Sequence, residues 1–154
     1  MSKVNFLKGL QMSEASDSLK QKFVENVKLR GYDDKYIDRH EEKEILQQAV
    51  SDGITIESAR QSLAQVCEAN DYVLESRALE TVENAVATFA ENDGKVDEKE
   101  YHDAVTIAKK ATRGKKTENE CKRFVLHIMD DRGYQAKTGL FSNWFKKEKQ
   151  TVGV

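Results

Sequence analysis

Proline is absent from this sequence, and glycine occurs only eight times in 154 residues. Because proline interrupts helices more strongly than any other residue, its absence leaves Gly, Asn, Asp and Ser to form the turns. Turns of that kind are typical of helical bundles with short loops. The sequence therefore favours short helices with short connections between them.

Cysteine and long apolar runs are also scarce. The two cysteines, Cys67 and Cys121, are far apart and form no CxxC pair, so we expect reduced core residues of an intracellular protein. The first residues contain no long apolar core and no small-residue cleavage site, so we expect no secretory signal. No run approaches the roughly 18 apolar residues expected of a membrane span. The predicted location is the cytoplasm.

A strong net charge is lacking as well. The formal net charge is −2, although 34% of the residues are charged. The basic segment at 109–116 has no interleaved aromatic residues, which is typical of a solvated loop. Nucleic acid is therefore not an expected partner.

Motifs that carry catalysis are missing. The sequence has no GxSxG, no P-loop, no GxGxxG and no HExxH. We therefore expect a non-enzymatic protein with no firmly indicated cofactor.

The apolar residues that are present recur at steps of three and four. This spacing predicts an all-α fold, a compact bundle of six to seven short helices. We expect a flexible N-terminal arm at 1–12, a single helical domain at 13–133 and a C-terminal tail at 134–154. Gly31 is expected to follow the first helix as a left-handed cap, and Leu29 and Val50 are expected on inner helix faces. No segment alternates in the manner of a strand.

Two acidic stretches, at 33–41 and 92–100, match each other at several positions and each lies between two predicted helices. We call them the first and second acidic turns. They indicate two related helix–turn–helix halves, at about 13–70 and 71–133. The matched pairs are Asp34 with Asp93, Asp38 with Asp97, and Glu41 with Glu100.

The second acidic turn resembles the later part of a calcium-binding loop. With Gly94 at position six of such a loop, Asp97 falls at position nine and Glu100 at position twelve. Phe89 would then occupy position one, where it cannot bind a metal, so a standard twelve-residue loop is excluded. A shortened site remains, formed by Asp93, Asp97 and Glu100, for Ca²⁺ or another divalent cation. Its affinity would be on the order of 10⁻⁴ M or weaker.

The matching residues of the first acidic turn, Asp34, Asp38 and Glu41, would form a weaker site, because Lys35 replaces the glycine. A second interpretation needs no metal. Asp38 and Asp97 can be helix N-caps, with Glu41 and Glu100 as their capping-box partners. This interpretation accounts for both copies.

The pattern Asp-Gly-x-Val-Asp-x-x-Glu at 93–100 resembles the turn of the TerB-like tellurite-resistance family and, more loosely, of EF-hand-like domains. The resemblance covers about ten residues and its echo at 33–41. It implies an all-helical protein linked to stress responses and to metal ions near the membrane. Lys35 departs from the family pattern in the first copy.

The C-terminal tail is aromatic and then basic. Leu140, Phe141, Trp144 and Phe145 would form one face of a short helix that lysines follow. This face can dock on the protein's own core, enter a groove of a protein partner, or lie at a membrane surface.

Taken together, these patterns predict a non-enzymatic binding or adaptor module with at best weak divalent-cation binding at its acidic turns. The alternative is a structural or scaffold protein without a metal site, which recruits a protein partner or a membrane surface through its tail.

Overall fold

A computed structural model describes residues 17–154. The predicted arm at 1–12 lies outside the described residues. The described part contains seven helices and four very short strands, so the predicted all-α bundle is confirmed. The helices are α1 (Asp17–Gly31), α2 (Arg39–Ser51), α3 (Ile56–Ala69), α4 (Glu75–Phe89), α5 (Glu98–Ala111), α6 (Glu118–Arg132) and α7 (Trp144–Val152). The strands are β1 (Tyr36–Ile37), β2 (Val73–Leu74), β3 (Lys95–Asp97) and β4 (Gln135–Lys137).

The chain divides into two compact units, of which the first ends at Glu75 and the second is Ser76–Val154. The sequence placed the division at 70/71. Each unit has its own apolar core, because each buries the apolar stripes of its own helices. The first core includes Val27, Ile37, Ile45, Leu63 and Val66. The second includes Val86, Val96, Tyr101, Val125, Leu126, Met129 and Trp144.

The four strands correct the expectation that the chain has none. In the first unit β1 pairs with β2, and in the second β3 pairs with β4, both in parallel. Each strand has only two or three residues, too few for an alternating pattern to appear in the sequence. Their function is to hold two interhelical turns of each unit side by side.

The predicted repeat is present in the backbone as well as in the sequence. Lys35 N donates to Gly31 O over 2.9 Å, and at the equivalent place Gly94 N donates to Ala90 O over 2.8 Å. The strand pairs also match, since Lys35 O accepts from Val73 N and Gly94 O accepts from Gln135 N. The two units are therefore copies of one helix–turn–helix arrangement.

Gly31 differs from its predicted function as a left-handed cap. It is the last residue of α1, and its φ is not positive. A Cβ atom at this position would lie 2.4 Å from Cδ2 of Tyr72, so the ring of Tyr72 requires glycine here. Leu29 and Val50 were expected on inner faces, but both are exposed.

The predicted burial of the two cysteines is observed. Cys67 and Cys121 are both buried and neither forms a disulfide. Burial raises the pKa of the Cys67 thiol to about 12, so this thiol is protonated at neutral pH. Among the helices of residues 17–154, none combines the length and the apolar character needed to cross a bilayer.

Candidate functional site

Three local features form the second acidic turn: a residue with a left-handed backbone, an aspartate that closes a turn, and a capping box. Gly94 has a φ of +69°, a left-handed conformation that glycine adopts at low cost. Asp93 Oδ1 accepts a hydrogen bond from Lys95 N over 3.0 Å and so closes a local turn. Asp97 then caps α5 with a capping box, in which Glu100 N donates to Asp97 Oδ1 over 2.7 Å and Asp97 N donates to Glu100 Oε2 over 2.9 Å.

The first acidic turn has the same three local features. Asp34 Oδ1 accepts from Tyr36 N over 3.1 Å. Asp38 caps α2, with Glu41 N donating to Asp38 Oδ1 over 2.8 Å and Asp38 N donating to Glu41 Oε2 over 3.0 Å. Lys35 takes the place of Gly94 and has a φ of +56°. The backbone conformation is thus the same in both turns, although only one of them has glycine.

The capping interpretation is therefore observed at both acidic turns. A third capping box joins Thr117 and Glu120 at the start of α6, away from either acidic turn. Since the same device occurs where no metal was expected, the Asp-x-x-Glu spacing alone does not indicate a metal site.

The predicted metal ligands are partly engaged with the protein itself. One oxygen of Asp97 and one of Glu100 belong to the capping box. Asp93 Oδ2 lies 3.8 Å from the ammonium of Lys137, which already supplies a positive charge. Within residues 17–154, no group of three or more His, Cys, Asp or Glu side chains is arranged to hold a metal ion.

Electrostatic crowding is evident at the first acidic turn. The pKa of Glu41 is raised, firstly by burial and then, against the hydrogen bond from Asp38 N, by the negative charges of Asp38 and Asp34. These carboxylates are therefore near enough to repel one another.

The C-terminal residues predicted to form one apolar face are divided by the structure. Trp144 is buried in the second core, where its ring centroid lies 5.2 Å from that of Tyr101. Phe145 is partly buried against the same core. Trp144 and Phe145 therefore dock on the protein's own core, which is one of the three alternatives that the sequence left open.

Polar contacts hold α7 in place as well. Glu148 accepts from the hydroxyl of Tyr101 over 3.0 Å and pairs with Lys122 at 3.1 Å. Burial, followed by this hydrogen bond, raises the pKa of Tyr101, so its hydroxyl remains a donor. At the other end of the helix, Arg123 Nε donates to Val152 O over 2.8 Å.

Leu140 and Phe141, in contrast, are exposed at a turn between β4 and α7. Ser142 N donates to Gly139 O over 3.2 Å, which closes a β-turn with Leu140 and Phe141 at its two corners. Leu140 is 99% exposed and Phe141 is 101% exposed. We call residues 139–142 the Leu-Phe turn.

The base of the Leu-Phe turn is fixed to the second unit. Trp144 Nε1 donates to Lys137 O over 3.2 Å, which joins the second residue before the turn to the second residue after it. Lys137 is itself held by the pairing of β4 with β3. The two exposed apolar side chains are thus presented from a closed loop.

Sequence reasoning missed the contributions of Lys137 and Glu148 to this region. Neither residue belongs to a local sequence motif, because each contacts a residue that is distant in the chain. The turn itself had a local signal, since Gly139 and Ser142 are typical turn residues. That signal would have separated Leu140 and Phe141 from the helix that begins at Trp144.

Comparison with known proteins gives no relative: no protein-family model matches the chain, and neither a curated protein nor a solved structure matches it.

Proposed function

We propose that this protein is a non-enzymatic cytoplasmic adaptor that engages a partner through the Leu-Phe turn. The observation that carries the proposal is the full exposure of Leu140 and Phe141 at the corners of a closed turn. Turn corners usually hold Gly, Asn, Asp, Ser or Pro, because these residues suit the backbone and the solvent. Two large apolar side chains at such a place have no function in the protein's own core.

Contacts at the base of the Leu-Phe turn support this assignment. The apolar residues around the turn, Trp144 and Phe145, are packed on the core, and Glu148 fixes α7 beside Tyr101. A preorganised loop loses little conformational freedom on binding, which favours affinity. The turn is therefore suited to recognition.

A photo-crosslinking amino acid at position 141 tests the proposal in living cells. We expect a discrete adduct that disappears when Leu140→Ser is added, because both side chains contribute to binding. The matched control has the crosslinker at position 29, since Leu29 is also exposed but lies in the first unit. Adducts no stronger at position 141 than at position 29, whether with protein or with lipid, would refute the assignment.

A second candidate function is weak divalent-cation binding at the acidic turns, in the manner of a TerB-like protein with a part in stress responses. Its proposed ligands are Asp93, Asp97 and Glu100, with Asp34, Asp38 and Glu41 as the weaker set. The observation that favours it concerns the weaker set: burial raises the pKa of Glu41, the negative charges of Asp38 and Asp34 add to the effect, and a bound cation would relieve that repulsion.

Calcium titration followed by amide NMR tests this second candidate. Saturable shifts are expected at 93–100 and 34–41, with a dissociation constant on the order of 10⁻⁴ M or weaker. Asp97→Asn is the matched control, because asparagine retains the helix cap but removes the charge. If millimolar Ca²⁺ moves no resonance in either turn, capping is the whole function of these carboxylates.

A further inference from the structure

We propose that the partner of the Leu-Phe turn is the surface of an anionic lipid bilayer. The inference rests on the proposed function, since it names the partner of the same turn. Leu140 and Phe141 would enter the interface between headgroups and acyl chains, and nearby lysines would contact the headgroups.

The shape of the turn is the first argument. Its two apolar side chains lie at the corners of a β-turn and are fully exposed, so they form a convex tip. A protein interface of standard size buries about 800 Å² on each partner, and one partner usually supplies a pocket. A tip with two apolar side chains is small for such an interface, but it suits insertion into a lipid surface.

The charge around the turn is the second argument. Residues 137–147 include three lysines and no acidic residue, whereas the whole chain has a net charge of −2. Lys146 and Lys147 are exposed, and neither forms an ion pair with another residue of the described part of the chain. Lys137 is exposed too, with Asp93 at 3.8 Å. This local positive charge is complementary to anionic headgroups.

Asp93 offsets the charge of Lys137, but two other acidic residues near α7 do not offset that of Lys146 and Lys147, because each pairs with another lysine. Glu148 pairs with Lys122, and Asp130 pairs with Lys149 at 3.0 Å. Lys146 and Lys147, which follow the turn in the chain, therefore remain available to phosphate groups. Apolar insertion and lysine attraction are the two signals that a reversible membrane contact requires.

Co-sedimentation of the full chain with lipid vesicles tests the proposal. We expect binding to vesicles of phosphatidylcholine with phosphatidylglycerol, and much weaker binding to phosphatidylcholine alone. The double substitution Leu140→Ser with Phe141→Ser should lower the partition coefficient about tenfold or more, since it removes two large apolar side chains. Lys146→Ala with Lys147→Ala should lower it about fivefold per lysine, and added salt should have the same direction of effect.

Two controls separate membrane contact from a loss of folding. Leu29→Ser removes an exposed leucine of the first unit and should leave vesicle binding unchanged. All three variant chains should retain the circular dichroism spectrum and melting temperature of the native protein, because every substituted side chain is exposed.

Fluorescence supplies a readout that folding does not alter. The only native tryptophan, Trp144, is buried, so its emission should not respond to vesicles. Phe141→Trp places a second tryptophan at the tip, where anionic vesicles should shift its emission to shorter wavelength. Lipids with brominated acyl chains should quench it.

Failure of this inference is distinguishable from failure of the proposed function. Absence of sedimentation with anionic vesicles, equal binding to neutral vesicles, or full binding by the Leu140→Ser, Phe141→Ser variant would each overturn the lipid assignment. A protein adduct from position 141 in cells, together with absent vesicle binding, would overturn the lipid partner but leave the adaptor function. The lack of any specific adduct or vesicle binding would overturn both.

Discussion

Lys35 and Gly94 occupy equivalent places in the two acidic turns, and both have a left-handed backbone. A side chain with a Cβ atom adopts this conformation at a cost of about 1–2 kcal/mol, which glycine avoids. Glycine also loses more entropy on folding, so the two effects partly cancel. The first unit therefore carries a strained residue at a turn where the second unit has glycine.

We predict that Lys35→Gly stabilises the protein by up to about 1 kcal/mol, because it removes the left-handed strain. Gly94→Ala should destabilise by about 1 kcal/mol for the converse reason, since no atom would clash with the added methyl group. Urea denaturation measures both. Lys35→Ala serves as the control, because it removes the ammonium that lies 5.8 Å from the ring centroid of Tyr72 but retains the strain. Equal gains from Gly and Ala at position 35 would show that strain is not the cause.

Gly31 leads to a second prediction at the residue scale. Alanine is favoured over glycine in a helix by about 1 kcal/mol, yet here its methyl group would meet the Tyr72 ring at 2.4 Å. We expect Gly31→Ala to destabilise by about 1–3 kcal/mol in the native protein. In a Tyr72→Ala background, where the ring is absent, the same substitution should be stabilising. A double-mutant cycle measures the change of sign, and an additive result would contradict the steric explanation.

Single residues also set a limit on what sequence can predict. The capping partners Asp97 and Glu100 were predictable, because a cap and its partner are three residues apart and interact locally. The close approach of Tyr72 to Gly31 was not, because those residues are far apart in the chain and no local pattern joins them. The exposure of Leu29, in contrast, could be predicted, because Leu29 lies two residues after the buried Val27 and so falls outside the steps of three and four that define the core face.

At the scale of helices, Glu41 and Glu120 occupy the same position of two capping boxes, but their pKa values are shifted in opposite directions. The hydrogen bond from Thr117 N, 2.7 Å long, lowers the pKa of Glu120 from its ordinary value of 4.5. Burial raises the pKa of Glu41 from the same value, and nearby carboxylates reinforce the effect. Ionised Glu120 therefore stabilises α6, whereas ionised Glu41 has a cost to the folded state.

These directions give opposite pH dependences. The contribution of Glu120 is complete above pH 4.5 and is lost as the pH falls through its lowered pKa. The cost of Glu41 is present above its raised pKa and disappears as the pH falls below 4.5. Glutamine retains the capping geometry without the charge. At pH 7, we expect Glu120→Gln to destabilise and Glu41→Gln to be neutral or stabilising.

Urea denaturation at pH 7 and at pH 3 measures this difference. As the pH falls through the raised pKa of Glu41 and then through the lowered pKa of Glu120, each glutamate becomes protonated, so each glutamine variant should approach the native protein in free energy of unfolding. Effects of the same sign for the two variants at pH 7 would contradict the assigned causes.

Helices and strands differ in how much local sequence determines them. The helices have periods and caps that extend over ten or more residues, so most of them could be located from sequence. The strands pair β1 with β2 and β3 with β4 across more than thirty residues, and each is too short for a period. Helix α7 begins at Trp144, and its predicted start failed because a β-turn interrupts the apolar run.

At the scale of the molecule, the repeat predicted from Asp34, Asp38 and Glu41 is visible in matching turns, caps and strand pairs. The candidate site was less predictable from sequence. Its four C-terminal apolar residues are all large and hydrophobic, yet the fold packs two of them on the core and exposes the other two. Trp144 and Phe145 meet a core that only the folded second unit provides, and Leu140 and Phe141 do not. The sequence identifies these four residues as an apolar cluster, but only the fold shows which two pack on the core and which two are exposed.

That division leads to a last prediction, on how stability is distributed over the two units. Trp144 is buried against Tyr101 and belongs to the core of the second unit, so Trp144→Ala should destabilise that unit by about 3–5 kcal/mol. Because each unit has a separate core, amide hydrogen exchange should accelerate most in α5, α6 and α7. The Leu140→Ser, Phe141→Ser variant is the matched control and should leave exchange unchanged in these helices. Equal acceleration in α2 and α3 after Trp144→Ala would show instead that the two cores unfold as one.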